Sequence, residues 1–305
     1  MRLLLIDSNH LAARCRFSQV NHLATSDGRN TGVLYGVLRG VAWAKQLFHL
    51  QSLQVAMFWD GGRAARRMEI YPDYKAHRTV EDPTEEEKQD KAAYFAQIDL
   101  AQDALRAAGI RQVRVWGVEA DDLISIYASY FASHGHHVTI YSGDHDMHQL
   151  VNDRIDILDR EDRPLDPAKI REKWSLSPGL IPLAKAMSGD DSDNITGIPD
   201  IGPKRAAAIA DQPHLLFSRC FQPPEIDDKL WQYFEKARCH MDIIVRNLRL
   251  ITLPRNWDQS YYGIEEATQA NQQLFYDDVT RDIDRFVEFC HDWELESVLE
   301  NLHQW

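Results

Sequence analysis

Residues 112–122 read QVRVWGVEADD, a short apolar run followed at once by three acidic residues. A run of this length that ends at a glycine is typical of a buried strand. The acids stand at the start of the next apolar pattern, LISIYA, residues 123–128. This stretch therefore predicts a strand whose carboxyl end carries negative charge, and the same order recurs elsewhere in the chain.

Four more runs resemble this strand: RLLLI (2–6), QVAMFW (54–59), HVTIY (137–141) and IDIL (155–158). They alternate with longer helical patterns, of which residues 33–49 and 86–108 are the clearest. Strands that alternate with helices are typical of an α/β fold. We therefore predict a mainly parallel central sheet with flanking helices.

Acidic residues follow four of these strands. The carboxyl ends of parallel strands meet at one edge, where open α/β sheets place their sites. The simpler alternative is that each Asp caps the helix after it, but one cap does not explain doublets. The acids are Asp7, Asp60, Glu119, Asp121, Asp122, Asp144 and Asp146.

Composition sets the outer limits. The 305 residues suffice for one large domain or two smaller ones. The net charge of −13, taken alone, argues against a nucleic-acid partner. No apolar run is long enough for a membrane span or a secretory signal, so we expect a cytoplasmic protein. The four cysteines lack zinc-site or disulfide spacing, and we expect reduced core thiols.

The second half of the chain differs from the first. One helical pattern ends at Ser188, an acidic turn follows, and Gly202-Pro203 opens another helix. Residues 229–254 predict one long amphipathic helix that ends at Pro254. We predict an α/β domain over 1–165, a helical subdomain over 166–254, and an acidic C-terminal segment over 255–305 that packs back on the core.

Two basic motifs suggest contacts with DNA. GIPDIGPKRAAAIA (197–210) is similar to a helix-hairpin-helix, in which the backbone N–H groups of the turn, Lys204 and Arg205 hold a phosphate. YPDYKAHR (71–78) offers Tyr74 for stacking on a base, and Lys75 and Arg78 for clamping the scissile phosphate. The alternatives are an ordinary helical corner and a solvated basic helix.

The acids also suggest a cofactor. Hard divalent cations prefer oxygen ligands, so an acidic sheet edge without His or Cys ligands suggests Mg²⁺, with Mn²⁺ as a substitute. Two such ions about 4 Å apart activate a water and stabilise the leaving oxygen in phosphodiester cleavage.

In this order and spacing, LLIDSNHL, FWDGG, YKAHR, GVEADDLISIYA, YSGDHDMHQLV and SGDDSDNITGIPDIGPKRAAAI resemble the 5′-nuclease or flap endonuclease family, over roughly residues 1–250. The stand-alone phage-type form is the more similar one. The resemblance implies a PIN-like fold, a helical arch over about 63–100 that admits a 5′ single strand, and a helix-hairpin-helix (H3TH) subdomain with a potassium ion at its turn.

The resemblance also implies roles for particular residues. Lys75 and Arg78 match the catalytic basic pair, and Asp7, Asp60, Glu119, Asp121 and Asp144 complete the catalytic set. The metal ligands implied are Asp7, Asp60, Glu119, Asp121, Asp122, Asp144, Asp146, Asp190 and Asp193. The DNA contacts predicted are Tyr74, Lys75, Arg78, Gly197, Ile198, Gly202, Lys204 and Arg205.

The function expected is a structure-specific 5′ nuclease, both flap endonuclease and 5′-3′ exonuclease, that needs two or more metal ions and acts in DNA replication or repair. Its partner is branched or 5′-flapped DNA, and we expect a monomer away from membranes. One alternative is a DNA-junction binding protein without catalysis. The other is removal of RNA primers by the same site, as a ribonuclease.

Overall fold

A computed structural model describes residues 1–50, 54–78, 83–158, 163–217, 223, 226–257, 262–277 and 279–305. All five predicted strands are present, and a short sixth strand follows them. The strands of the central sheet are β1 Arg2–Asp7, β2 Val55–Trp59, β3 Arg111–Arg114, β4 His137–Tyr141, β5 Ile155–Leu158 and β6 Pro164–Leu165.

The sheet has the order β3-β2-β1-β4-β5-β6. The first five strands are parallel, and only β6 runs antiparallel to its neighbour. β1 is central, with Leu5 opposite Ala56 of β2 and Ile140 of β4. Helices cover both faces, so the central strands are apolar throughout instead of alternating with polar residues. The predicted fold class is therefore present.

Fourteen α-helices lie within the described residues. Those of the first half are α1 Ser8–Arg16, α2 Gly32–Leu47, α3 Ala65–Ile70, α4 Glu85–Ala107 and α5 Ala120–Ser133. Those of the second half are α6 Pro167–Trp174, α7 Ile181–Ser188, α8 Pro203–Ala210, α9 Pro213–Phe217, α10 Asp228–Cys239, α11 Met241–Ile251, α12 Ile264–Asn271, α13 Ile283–Asp292 and α14 Glu296–Leu299.

Two apolar cores lie on the two faces of the sheet. Leu4 and Ile6 point to the face covered by α1, α2 and α4, whereas Leu5 and Phe58 point to the face covered by α5. Successive residues of a strand face opposite sides, which separates these two sets. Phe286 and Trp305 join the first core, so the last described residues pack against α2 and α4.

A third core lies among α7, α8, α10 and α11. The prediction of a single long helix over residues 229–254 is wrong. The helix is interrupted at His240, which separates α10 from α11. The N–H of His240 bonds to the carbonyl of Ala237, and its ring Nδ1 contacts the carbonyl of Lys236 at 2.8 Å. The ring thus occupies the acceptor that a continuing helix would have used.

Other expectations from the sequence concern the cysteines, the arch, the domain boundaries and membrane spans. Cys239 is exposed, so it is not the core thiol expected, whereas Cys15 and Cys290 are buried and Cys220 lies outside the described residues. The predicted arch includes residues 79–82, which also lie outside them, and the arch stays a prediction. So do the boundaries of the three predicted domains. None of the described helices has the length and apolar character that a membrane span requires.

Candidate active site

Carboxylates gather at the carboxyl edge of the sheet. Asp7 ends β1, Asp60 follows β2, Glu119 and Asp121 stand at the start of α5 after β3, and Asp144 follows β4. We call these five residues the sheet-edge cluster. They come from four adjacent strands, because β3, β2, β1 and β4 are neighbours in the sheet.

The loops after β2 and β3 are joined by backbone hydrogen bonds. The N–H of Gly61 donates to the carbonyl of Val118 at 2.9 Å, and that of Gly117 donates to the carbonyl of Gly61 at 3.0 Å. A Cβ at Gly61 would lie 1.5 Å from the carbonyl oxygen of Val115, so only glycine fits. This close approach brings Asp60 to the start of α5, where its Oδ1 accepts from the N–H of Ala120 at 2.8 Å.

The capping alternative is partly correct and does not exclude a site. Asp7 accepts a hydrogen bond from the N–H of His10 at 2.9 Å and thereby caps α1, and Asp144 caps its own turn in the same way. Asp60, in contrast, bonds to the helix that follows another strand. Asp121 lies inside the first turn of α5 and caps nothing there. The set therefore exceeds what capping needs.

The sheet-edge cluster carries negative charge that the protein does not fully neutralise. Burial, and then the charges of Asp60 and Asp144, raise the pKa of Asp7 to about 7, against hydrogen bonds from His10 and Ser142. Burial followed by the charges of Asp7 and Asp144 raises the pKa of Asp121 well above its usual value. A bound cation relieves the repulsion between neighbouring carboxylates of this kind.

A second group of carboxylates lies beside the first. Ligand oxygens of Asp146, Asp190 and Asp193 all lie within 4.8 Å of one another, and we call these residues the second cluster. Asp146 follows β4, whereas Asp190 and Asp193 follow α7. The helical half of the chain therefore supplies two of the three acids. Both clusters offer oxygen ligands alone, which fits hard divalent cations such as Mg²⁺ or Mn²⁺.

Lys75 bridges the two clusters, and Arg78 lies beside the second cluster. Nζ of Lys75 is 2.6 Å from Oε1 of Glu119 and 3.7 Å from Oδ1 of Asp193. Nη2 of Arg78 is 2.9 Å from the same oxygen of Asp193 and donates to the carbonyl of Ser192 at 2.8 Å. Burial alone would raise the pKa of Glu119, but Arg67 and Lys75 outweigh it and hold that pKa low.

The structure corrects the prediction that Asp122 is a metal ligand. Its Oδ1 and Oδ2 each accept from the guanidinium of Arg67 at 2.7 Å, and the hydroxyl of Tyr262 also donates to Oδ2. Asp122 is only 1% exposed. Both oxygens are thus used within the protein, and a buried Arg67 already supplies the neutralising charge.

Tyr74 was expected to stack on a base, and this prediction is wrong. Its side chain is buried in the core shared by α7, α8 and α10, and only 6% of it is exposed. Its hydroxyl donates to Oδ2 of Asp193 at 3.0 Å and lies 3.3 Å from Oε2 of Glu119. Tyr74 therefore positions one carboxylate of each cluster.

The helix-hairpin-helix segment divides into buried and exposed residues. Gly202, Lys204 and Arg205 are exposed at the start of α8, as a phosphate contact requires. The predicted DNA contact by Ile198 is wrong, because its side chain is 3% exposed and its N–H donates to the carbonyl of Met187 at 2.7 Å.

Two other residues of this segment have structural tasks. A Cβ at Gly197 would lie 2.3 Å from the backbone carbon of Ser188, so this glycine permits two segments to pack closely. The guanidinium of Arg205 donates to the carbonyl of Asp200 at 2.6 Å and lies over the ring of Tyr233 at 4.4 Å. Lys204 is therefore the clearer candidate for a phosphate contact.

Two residues of the site could not be identified from the sequence. Arg67 belongs to the basic stretch RAARR, which gives no sign that one of its arginines is 3% exposed and pairs with Glu119 and Asp122. Lys185 precedes the acidic turn by a few residues and contacts Asp146 and Asp190. Only the fold brings either cation to the carboxylates.

Space for a substrate lies directly beside these groups. A cavity of about 380 Å³ opens between β2, α3 and the basic pair, and its walls include Asp60, Gly62, Arg63, Arg78 and Glu119. Its volume falls within the usual range for small-ligand sites. A cavity lined by both carboxylates and guanidinium groups suits a phosphate that bridges metal ions and cations.

These features describe an α/β fold whose sheet edge gathers carboxylates beside a cavity that cations also line. The family described as "5'-3' exonuclease, N-terminal resolvase-like domain" matches residues 2–175, and the chain belongs to this family. The predictions of the 5′-nuclease family, of its fold and of the nuclease class are thereby confirmed.

Curated relatives agree with this membership. DNA polymerase I of Mycobacterium tuberculosis is 31% identical over 261 residues, which is 83% of this chain but 27% of that protein. The thermostable DNA polymerase I of Thermus aquaticus is 33% identical over 251 residues, or 79% of this chain and 28% of that protein. The chain thus spans little more than a quarter of the length of these relatives.

Solved structures show the same fold. The flap endonuclease D15 of bacteriophage T5, in a complex with DNA and metal ions, has a TM-score of 0.68 and 20% identity, and covers 98% of this chain and 100% of its own. The catalytic core of Rad2 in complex with DNA substrate has a TM-score of 0.55 and 13% identity, with 99% and 91% coverage.

Proposed function

We propose that this protein is a structure-specific 5′ nuclease that hydrolyses DNA phosphodiester bonds near junctions of single-stranded and duplex DNA. Mg²⁺ is the proposed cofactor, and Mn²⁺ substitutes for it. The observation that carries the proposal is that Lys75 bridges two clusters of carboxylates while Arg78 contacts the second of them. Cations and metal ligands that face one cavity suit the charge that develops on a phosphate during hydrolysis.

The two clusters divide the proposed metal ligands. Asp7, Asp60, Asp121 and Asp144 would hold one ion at the sheet edge with Glu119, and Asp146, Asp190 and Asp193 would hold another. Divalent ions at these positions supply an activated water and neutralise negative charge in the transition state. The raised pKa values of Asp7 and Asp121 support this assignment, because an added positive charge would relieve the repulsion between these carboxylates.

Lys75 and Arg78 would bind the scissile phosphate from the opposite side. Both cations lie on Asp193 in the protein alone, and Lys75 also lies on Glu119. A phosphate in the adjacent cavity would take over part of these contacts. Their contribution would then be largest when negative charge on the phosphate is largest, which is in the transition state.

DNA would be held at the start of α8. Gly202 and Lys204 are exposed there, and the N-terminus of an α-helix attracts phosphate. The bacteriophage T5 enzyme and Rad2 are described in complexes with DNA, and the first also with metal ions. By analogy we propose branched or 5′-flapped DNA as the substrate. A potassium ion at the hairpin turn, a monomeric state, a cytoplasmic location and a role in replication or repair stay predictions.

A flapped duplex labelled at its 5′ end tests the proposal. With Mg²⁺ the protein should release a short labelled product, and EDTA should abolish the release. The variant Asp121→Asn should be inactive because it removes a sheet-edge ligand. Asp103→Asn is the control, since Asp103 is exposed on α4 and pairs only with Arg106 among the described residues.

The alternatives predict other results in the same assay. A junction-binding protein without catalysis would shift the flapped duplex in a gel and leave it intact with Mg²⁺. A ribonuclease of this class would cleave a substrate with an RNA 5′ strand and spare the DNA equivalent. Intact DNA with both Mg²⁺ and Mn²⁺ would contradict the proposed function.

A further inference from the structure

Lys185 bridges two of the three carboxylates of the second cluster. Its Nζ lies 2.6 Å from Oδ2 of Asp190 and makes an even closer contact with Oδ1 of Asp146. Its side chain is 13% exposed, so water screens these contacts weakly. Two carboxylates that come from distant parts of the chain are thus held together by one ammonium group.

The two carboxylates that pair with Lys185 belong to the group suited to a divalent ion. Asp146 and Asp190 are two of the three residues whose ligand atoms lie within 4.8 Å of one another. An ammonium group is a compact monovalent cation and donates hydrogen bonds to the same lone pairs that coordinate a metal. It cannot stay between the carboxylates of Asp146 and Asp190 while a divalent ion is bound among them, because the two cations would repel each other at short range.

We propose that Lys185 is an internal counter-ion of the second cluster, which must withdraw from Asp146 and Asp190 before a divalent ion can bind there. This inference rests on the proposed function, in which the second cluster holds a metal ion. Lys185 then stabilises the metal-free protein and also sets the concentration of divalent ion at which the second position fills. The apparent association constant for the ion equals the intrinsic constant multiplied by the fraction of molecules in which Lys185 has withdrawn.

The side chain of Lys185 has an adjacent cavity into which it can withdraw. A cavity of about 660 Å³ lies beside it between α6, α7 and α8, and Ser188, Asp211 and Gln212 are among its lining residues. The four-carbon stem of a lysine is flexible enough to turn toward such polar groups. Lys204 and Pro203 at the start of α8 line the same cavity, so a withdrawn Lys185 would approach the proposed position of the DNA backbone.

Metal titration without DNA tests this inference separately from catalysis. Calorimetric titration of the wild-type protein with Mn²⁺ should show two classes of site, the weaker being the second cluster. Lys185→Met should tighten the weaker class by at least about tenfold, because the competing cation is gone. Lys173→Met is the control, since Lys173 lines the same cavity and its Nζ contacts Nε2 of His145 at 3.1 Å. It should bind Mn²⁺ as the wild type does.

Thermal unfolding gives an independent reading. In EDTA, Lys185→Met should melt below the wild type, because Asp146 and Asp190 lose their counter-ion. Saturating Mn²⁺ should close most of this gap. If Lys185→Met does not fold, Lys185→Gln removes the same charge and keeps a polar group for the same comparison.

Three results would overturn the inference. Equal Mn²⁺ affinity of the wild type and of the Lys185 variants at the weaker site would remove the role of Lys185 and leave the proposed nuclease function standing. Failure of every variant and of the wild type to bind any divalent ion would overturn the metal-dependent function and this inference together. Tighter binding in Lys173→Met by the same factor would show that only the overall charge of the cavity matters.

Discussion

The hydroxyl of Tyr74 donates a hydrogen bond to Oδ2 of Asp193 over 3.0 Å, although the two residues are 119 positions apart in the chain. Glu119 of the sheet-edge cluster lies 3.3 Å from the same hydroxyl. One buried tyrosine therefore connects the acids of the sheet to those of the helical half. Burial raises the pKa of this hydroxyl far above its usual value, so it keeps its proton at any working pH.

Tyr74→Phe should reduce catalysis and leave DNA affinity unchanged. The ring still fills the core, but Asp193 and Glu119 lose their shared donor and move apart. We expect turnover on a flapped duplex to fall by about tenfold or more, since small misplacements of catalytic groups are costly. A hydrogen bond to a charged group is worth about 1.5–3 kcal/mol, and the free energy of unfolding should fall accordingly. Fluorescence anisotropy with labelled DNA in Ca²⁺ measures the affinity, and a loss of affinity equal to the loss of turnover would support stacking on a base.

Lys75→Ala should lower turnover by about a hundredfold or more while the dissociation constant for flapped DNA changes by only a few-fold. The reason is that the contact proposed between Lys75 and the phosphate strengthens as charge develops in the transition state. Glu119 retains Arg67 as a partner, so the fold should survive the change. Single-turnover kinetics with saturating enzyme give the rate, and filter binding with Ca²⁺ gives the affinity.

Arg106→Ala is a suitable control for this variant, because Arg106 is an exposed cation of α4 outside the predicted arch and pairs with Asp103. Its turnover should stay close to that of the wild type. Similar losses of rate and affinity in Lys75→Ala would mean that Lys75 contributes to ground-state binding alone.

The strands of the sheet were predictable for a physical reason. Each central strand is buried on both faces, so its residues form an uninterrupted apolar run such as VAMFW in β2. β6 was not predicted, since two residues, Pro164 and Leu165, cannot carry a pattern. The break at His240 was missed because the amphipathic pattern continues through it, and only a side-chain contact with the backbone interrupts the helix.

The candidate site was predictable only in part. Acids that follow successive parallel strands must meet at one edge, which is why Asp7, Asp60 and Asp144 could be placed together. The neighbours of these acids could not be placed in the same way. Asp121 and Asp122 are adjacent in sequence, yet one faces the cluster and the other pairs with Arg67, because successive residues of a helix point about 100° apart.

Lys204→Ala should weaken DNA binding equally for all sequences and reduce the salt dependence of that binding. Each phosphate contact contributes about 0.9 to the slope of log K against log salt, so loss of one contact should lower the slope by about one. Arg205→Ala should also reduce stability, since its guanidinium holds the carbonyl of Asp200. Lys229→Ala, at the exposed start of α10, is the control. An unchanged slope in Lys204→Ala would place the duplex elsewhere on the protein.

Asp7 should make the stability of the metal-free protein depend on pH. Its pKa is about 7 in the folded protein, against an ordinary value of 3.8, chiefly because of burial. The folded state therefore binds this proton more tightly than the unfolded state. The resulting stabilisation is fully present below about pH 4 and is lost as the pH rises through about 7. The difference in pKa corresponds to a change of at most about 4 kcal/mol in the free energy of unfolding.

Asp7→Asn isolates this contribution, because asparagine stays neutral at every pH. In EDTA, the free energy of unfolding of Asp7→Asn relative to wild type should increase between pH 5 and pH 8, as measured by urea denaturation. Asp103→Asn is the matched control, because it removes an exposed carboxylate of α4. Mn²⁺ at pH 8 should stabilise the wild type more than Asp7→Asn, because a cation at the sheet edge neutralises the ionised carboxylate. If the difference between Asp7→Asn and wild type were the same at both pH values, the sheet edge would not hold the unneutralised charge on which the proposed metal site depends.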